Sequence, residues 1–155
     1  MDCFKINFDQ ATFPELGRAG LGVVIRDWRG NVVASFLEQA PLPFLLDIVE
    51  SMATARAIAF AYELSIKPLI LEGDSEAVIN TFNSTEGSLS SFGHIITLAK
   101  STLVTNICIS FSYIRKLGNK VTHNLTRLAR HVRNLSVCLE DAPFHLYFFL
   151  FADFN

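Results

Sequence analysis

Three carboxylates stand where the sequence predicts that a strand or a helix begins or ends. Asp9 closes the strand-like part of KINFDQA, Glu50 lies early in an alanine-rich segment, and Asp74 follows the apolar stretch LILEG. Carboxylates packed together raise one another's pKa unless a cation compensates them, and Mg²⁺ prefers oxygen ligands. Two such ions roughly 4 Å apart can activate water and stabilise the leaving oxygen of a phosphodiester. These residues therefore indicate divalent-metal chemistry.

The elements that must position these acids can be predicted from hydrophobic period and breaker residues. Alternation in KINFD predicts an opening strand that ends on Asp9, and two glycine-bounded strands should complete an antiparallel meander. Helix-linked strands follow, so we expect a mixed sheet flanked by helices. The predicted later elements are strands Gly20–Asp27, Asn31–Glu38, Pro68–Glu72 and Ile107–Ile114, and helices Asp47–Leu64, Ser75–Phe82, Phe92–Leu103 and Lys120–Val132.

Each acid also has an ordinary structural interpretation. Asp74 is a suitable N-cap for the helix that follows it, and Glu50 is the capping-box partner of an N-cap at Asp47. Asp9 can begin a turn. If the first and fourth strands are parallel neighbours, however, Asp9 and Asp74 share one edge of the sheet, where ligand sites concentrate. Their joint placement favours a site.

Composition narrows the class of protein. Half of the 155 residues are apolar and 18% are charged, which is typical of a globular domain rather than a disordered chain. No window approaches the roughly 20 apolar residues of a membrane helix, so we expect no membrane partner. The three cysteines lack CxxC spacing and indicate a reducing, intracellular compartment, without distinguishing nucleus from cytoplasm.

Charge is distributed unevenly along the chain. Residues 1–86 hold 12 acids and 6 bases, whereas residues 87–139 hold 7 bases and no acid. Such asymmetry can mark a surface that binds a polyanion beside an acidic site. The alternative, bases scattered over solvated helix faces, stays open.

The motifs KINFDQA, GLGVVIRDWRGNVV, LILEGDSEAVI and YIRKLGNKVTHNLTRLAR resemble, in order and spacing, the type 1 ribonuclease H superfamily and above all its plant reverse-transcriptase-like branch. The resemblance spans residues 3–132 and leaves 133–155 as an aromatic C-terminal tail. It implies an α/β fold with a five-stranded mixed sheet and helices on both faces. It also implies cleavage of the RNA strand of an RNA–DNA hybrid.

The resemblance assigns three metal ligands, Asp9, Glu50 and Asp74, that hold Mg²⁺. The family's fourth acid is replaced by His123, whose imidazole suits Mn²⁺ better. Gln10 stands where the family usually has glycine. Because of these departures, two alternatives stay open: a catalytically impaired nucleic-acid-binding module, and a retroelement-derived interaction domain with unknown protein partners.

Nucleic-acid contacts are expected around the predicted site. Arg115, Lys116 and Lys120 should neutralise phosphates. The residues expected to reach 2′-hydroxyl groups, which distinguish RNA from DNA, are Gln10, Asn83 and Asn119. Trp28, at the tip of the predicted hairpin, either stacks on a base or shields the turn, and we favour shielding.

Overall fold

A six-stranded mixed sheet dominates the computed structural model, which describes residues 3–85, 90–102 and 109–140. The strands are β1 (Phe4–Phe13), β2 (Arg18–Arg26), β3 (Val32–Pro41), β4 (Leu69–Gly73), β5 (Ile109–Tyr113) and β6 (Leu135–Leu139). The helices are α1 (Leu46–Glu63), α2 (Glu76–Asn83), α3 (Gly93–Thr102) and α4 (Lys120–Leu128), and a 3₁₀ turn, Lys116–Asn119, precedes α4. No helix among the described residues is long and apolar enough to cross a membrane.

The strand order is β5-β4-β1-β2-β3-β6. β1, β2 and β3 form the predicted antiparallel meander, and β4 lies parallel to both β1 and β5. The predicted mixed α/β fold is therefore confirmed. β6 adds a sixth strand, antiparallel to β3, from a stretch predicted as part of the tail. Residues 141–155 of that tail lie outside the described part, and the predicted division at residue 132 stays a prediction.

Side chains of β1 alternate between two helical layers. Ile6 and Phe8 are buried in the larger core, together with Val49 and Ala53 of α1. The odd-numbered positions face the other layer, where Phe13 packs in a smaller core with α4. This alternation sends Asp9 toward α4.

Small residues let the helices approach the sheet closely. Ala53 and Ala57 are fully buried along α1. On the other face, a Cβ atom at Gly20 would lie 2.6 Å from Ala129 Cβ and 2.7 Å from the Thr126 carbonyl oxygen. α4 therefore lies against β2 at a distance that only glycine permits.

Three local expectations were wrong. β1 does not end at Asp9 but continues to Phe13, because β2 pairs with it along its whole length. Asp47 and Asp74 do not cap the helices that follow them. Leu45 precedes α1 without a side-chain cap, so Asp47 lies in the first turn and Glu50 completes no capping box. The N-cap of α2 is Ser75, whose Oγ accepts from the Val78 N–H.

Candidate active site

Asp9 lies where the parallel pairing of β1 with β4 stops. The register matches Phe4 with Leu69 and continues to Asn7 with Glu72. Continued two residues further, it puts Asp9 level with Asp74, just after β4 ends. Both carboxylates therefore occupy one edge of the sheet, as the sequence predicted for parallel neighbours.

Asp9 is a buried carboxyl, only 6% exposed. Its Oδ1 accepts a hydrogen bond from the Gln10 N–H at 2.8 Å. Burial raises its pKa above the ordinary value, since the charged form loses hydration, and the Asp74 charge raises it further. The Gln10 bond and His123 oppose both effects without cancelling them.

Glu50 approaches the same edge from the first two turns of α1. Burial and then the charge of Asp74 raise its pKa to about 7, against a hydrogen bond with Ser75 that lowers it. Asp9 and Asp47 add smaller repulsions. Because these acids perturb one another, the structure brings together carboxyl groups that three separate elements supply.

His123 completes the group from α4. Its Nδ1 lies 2.9 Å from Asp9 Oδ2, a hydrogen-bonding distance, while the ring itself stays 54% exposed. The distance between His123 Nδ1 and Asp9 Oδ2 depends on the close packing of α4 against Gly20 and Gly22 of β2. In consequence, both oxygens of Asp9 have hydrogen-bond partners within the protein.

The donor chemistry at this edge fits a divalent cation. Mutually repelling carboxyls with raised pKa values are stabilised as anions by a hard positive ion. Among the described residues, no three His, Cys, Asp or Glu side chains converge tightly enough as arranged to hold a metal ion. Asp9, Glu50 and Asp74 would have to draw together, and Asp9 Oδ2 would have to turn from His123, to hold one.

The residues predicted to contact nucleic acid differ in how exposed they are. Arg115, Lys116 and Lys120 are exposed on and beside the 3₁₀ turn. Asn119 is 1% exposed, and its Nδ2 donates to the Phe8 carbonyl. Its side chain therefore anchors the 3₁₀ turn to β1 and presents almost no surface to a ligand.

The two remaining amides differ as well. Asn83 Nδ2 donates to the Phe111 carbonyl at 3.3 Å at the end of α2. Gln10 lies beside Asp9, and its buried Oε1 has no hydrogen-bond partner. A hydroxyl donor would satisfy that oxygen.

A groove of about 580 Å³ opens beside Asp9, with its walls on β1 and α4. Its polar lining comprises Gln10, Thr12, Glu15, His123, Arg127 and Arg130. Arg130 also donates to Glu15 at 2.8 Å. This groove brings Arg127 of α4, and Arg130 of the 3₁₀ turn that follows it, next to the acidic edge.

The contacts that hold β4 to β1 just before Asp74 were not predicted from the sequence. Asn7 Nδ2 donates to Glu72 Oε2 at 3.0 Å, and Lys5 Nζ lies 3.1 Å from Glu72 Oε1. These contacts tie β4 to β1 just before the acidic edge. The available signal was the alternation that puts Lys5 and Asn7 on the same face as Asp9.

Comparison with known proteins identifies the family of this chain. A family model described as reverse transcriptase-like matches residues 7–145, which confirms the expected ribonuclease H kinship. No curated protein sequence matches the chain.

Solved ribonuclease H structures share the fold. Ribonuclease H1 from the archaeon Halobacterium salinarum has a TM-score of 0.72 and 19% identity, covering 83% of this chain and 98% of its own. The N-terminal ribonuclease H domain of a Mycobacterium tuberculosis protein has a TM-score of 0.71 and 15% identity, with coverage of 84% and 95%. A ribonuclease H1 from compost, solved with an RNA/DNA hybrid, has a TM-score of 0.68 and 16% identity, with coverage of 83% and 96%.

Proposed function

The chain belongs to the reverse transcriptase-like family, and on that premise we propose that it cleaves the RNA strand of RNA–DNA hybrids with the help of a divalent metal ion, Mg²⁺ or Mn²⁺. The observation that carries the proposal is the meeting of Asp9, Glu50 and Asp74 at one sheet edge, where burial and the charge of Asp74 raise the pKa of Asp9 and of Glu50. A solved structure of the same fold holds an RNA/DNA hybrid, which supports the choice of substrate.

The chain's own residues would have distinct roles. Asp9, Glu50 and Asp74 would hold the ion, and β1 would keep Asp9 in place through the Gln10 N–H. When bound, such an ion activates water and stabilises the leaving oxygen of a phosphodiester. Gln10 lines the groove beside Asp9, and by turning its buried, unpartnered Oε1 into the groove it would accept from a ribose 2′-hydroxyl.

The basic residues of the 3₁₀ turn would hold the duplex. Arg115, Lys116 and Lys120 are exposed next to the acidic edge, so phosphates on either side of the scissile bond can reach them. Such contacts position a duplex without reading its sequence.

The test is incubation of the purified chain with an end-labelled RNA–DNA hybrid, in Mg²⁺ and separately in Mn²⁺. We expect cleavage of the RNA strand by the wild type and none by Asp9→Asn, whose amide keeps the shape and loses the charge. Glu76→Gln, at an exposed position on α2, is the matched acid-to-amide control and should cleave normally. Full activity in Asp9→Asn would refute the assignment.

A second function is favoured by one contact. His123 Nδ1 is hydrogen-bonded to Asp9 Oδ2 at 2.9 Å, and the imidazole brings no negative charge of its own. If this bond persists with substrate present, the domain binds hybrid without cleaving it. Salt-sensitive hybrid binding that survives Asp9→Asn, with no cleavage in either metal, would establish this second function.

A further inference from the structure

A second groove, of about 690 Å³, lies away from the acidic edge, between the β2–β3 turn and the neighbouring strands. The groove residues that matter here are Lys5, Asn7, Arg26, Trp28, Arg29 and Gly118. Its volume lies in the range of ligand sites in proteins. None of the functions assigned above uses it.

This groove and Asp9 share one face of the sheet. Lys5 and Asn7 alternate with the core residues of β1 and therefore point to the same side as Asp9. Lys5 lies four positions before Asp9, about 13 Å along the strand. Gly118, on the opposite wall, belongs to the 3₁₀ turn that carries Lys116. A strand of nucleic acid leaving the acidic edge can therefore enter the groove without crossing the sheet.

The two acids that line the groove, Asp27 and Glu72, both accept hydrogen bonds from neighbouring residues. Glu72 accepts from Asn7 and pairs with Lys5. Asp27 accepts from the Arg29 and Asn31 N–H groups and so closes the turn. These bonds hold the pKa of Asp27 below its ordinary value, so it stays charged for that structural task.

Trp28 gives the groove a flat aromatic surface. It is 59% exposed, so it does not shield a core. The Arg29 guanidinium lies over one face of the ring, 4.5 Å from its centre, a cation–π contact that holds a positive charge against the indole. An exposed aromatic ring next to cations is the usual arrangement for stacking a base while holding its phosphate.

We propose that this groove binds single-stranded nucleic acid, with a base stacked on Trp28 and the backbone phosphates beside Arg29 and Lys5. The bases inside a duplex are covered on both faces by their neighbours, whereas every base of an unpaired strand can turn a face to Trp28. The inference extends the proposed function, on which it rests, because the bound strand would be a single-stranded extension of the hybrid at the acidic edge.

Trp28 is the only tryptophan in the chain, so its fluorescence reports the groove directly. The experiment titrates the full chain, in EDTA at low salt, with oligothymidine and oligouridine of about 12 nucleotides. We expect saturable quenching by both oligonucleotides. Arg29→Ala should weaken the affinity about 3- to 10-fold, as expected for one lost phosphate contact.

Fluorescence polarisation with labelled oligonucleotide supplies the second readout. Trp28→Ala should weaken single-strand binding about 5- to 100-fold, the range for one lost stacking platform. Tyr62→Ala, an exposed aromatic on α1, is the matched control and should bind as the wild type does. Trp28→Ala should also weaken binding of a hybrid with a single-stranded extension more than binding of a blunt hybrid.

The outcomes separate this inference from the proposed function. Unchanged Trp28 fluorescence, together with wild-type affinity in Trp28→Ala, would overturn the groove assignment whether or not the hybrid is cleaved. Quenching that depends on Arg29, in a protein that neither binds nor cleaves hybrid, would support the groove and reject the proposed function. Circular dichroism of each variant would show that it is folded.

Discussion

His123 Nδ1 lies 2.9 Å from Asp9 Oδ2, so an imidazole stands against the carboxylate that would be central to metal binding. From the sequence, His123 is predicted only to stand where the family has its fourth acid, and the contacts of its ring are not predicted. The structure shows that the replacing ring contacts Asp9 directly and faces solvent on its other side. This pair connects α4 to β1 and determines how readily Asp9 can turn toward an ion.

His123→Asp should increase metal-dependent cleavage of hybrid. The change supplies the missing carboxylate and frees Asp9 Oδ2, so the affinity for Mg²⁺ and the cleavage rate should rise by about 10- to 100-fold, the range for changes around metal ligands. The measurement is the initial cleavage rate against Mg²⁺ concentration. His123→Asn, of the same shape without the charge, is the control and should not show the gain. An Asp variant no faster than the Asn variant would contradict the prediction.

Glu50 should make the metal-free protein less stable as pH rises. Its pKa is about 7 in the folded chain and 4.5 ordinarily, so the folded state binds more protons between these values. The contribution of Glu50 to the free energy of unfolding is therefore largest below about pH 4.5, and it is lost as the pH rises through 7. Since Glu50 is partly exposed and water screens its charge, the free energy of unfolding should fall by roughly 1–2 kcal/mol.

The measurement is urea unfolding in EDTA from pH 5 to pH 8.5, comparing wild type with Glu50→Gln. The amide cannot ionise, so the variant should lose this slope and be the more stable protein above pH 7. Glu63→Gln, at the exposed end of α1, should keep the wild-type slope. Parallel curves for wild type and Glu50→Gln would show that Glu50 is not strained by its neighbours.

Arg115 and Lys116 should control how strongly hybrid binding depends on salt. Each phosphate that a base neutralises contributes about 0.9 to the slope of log K against log salt. Arg115→Ala with Lys116→Ala should therefore reduce that slope by nearly 2. Arg18→Ala with Lys67→Ala removes two exposed bases elsewhere and should leave it unchanged. Equal slopes for the two double variants would place the duplex on another surface.

Gly20→Ala should destabilise the fold and separate His123 from Asp9. The added methyl group would meet Ala129 and the backbone of Thr126 at 2.6–2.7 Å, so α4 would have to move away from β2. Such overpacking costs roughly 1–3 kcal/mol, measurable as a lower urea midpoint. At Gly118 a new Cβ would find no atom nearer than 3.9 Å, so Gly118→Ala should keep the wild-type midpoint.

The sequence by itself determined the kinds of element and the acids that meet. Period-2 alternation in KINFD and the glycine-bounded hairpin are local signals, and they predicted the meander correctly. The sequence put Asp9 and Asp74 at one edge only on the condition that the first and fourth strands are parallel neighbours, and the pairing of β1 with β4 meets that condition. His123 could be recognised as a replacement because GNKVTH resembles the family pattern in which an acid occupies that place.

Only the tertiary structure decided where β1 ends, which residues cap the helices and what His123 touches. The pairing of β1 with β2 carries the strand past Asp9 to Phe13, and hydrogen bonds between distant segments leave no trace in local composition. Ser75 rather than Asp74 caps α2, since it is the Ser75 Oγ that accepts from the Val78 N–H. The Asp9–His123 distance depends on two glycines of β2 that let α4 approach, a packing relation between residues about a hundred positions apart.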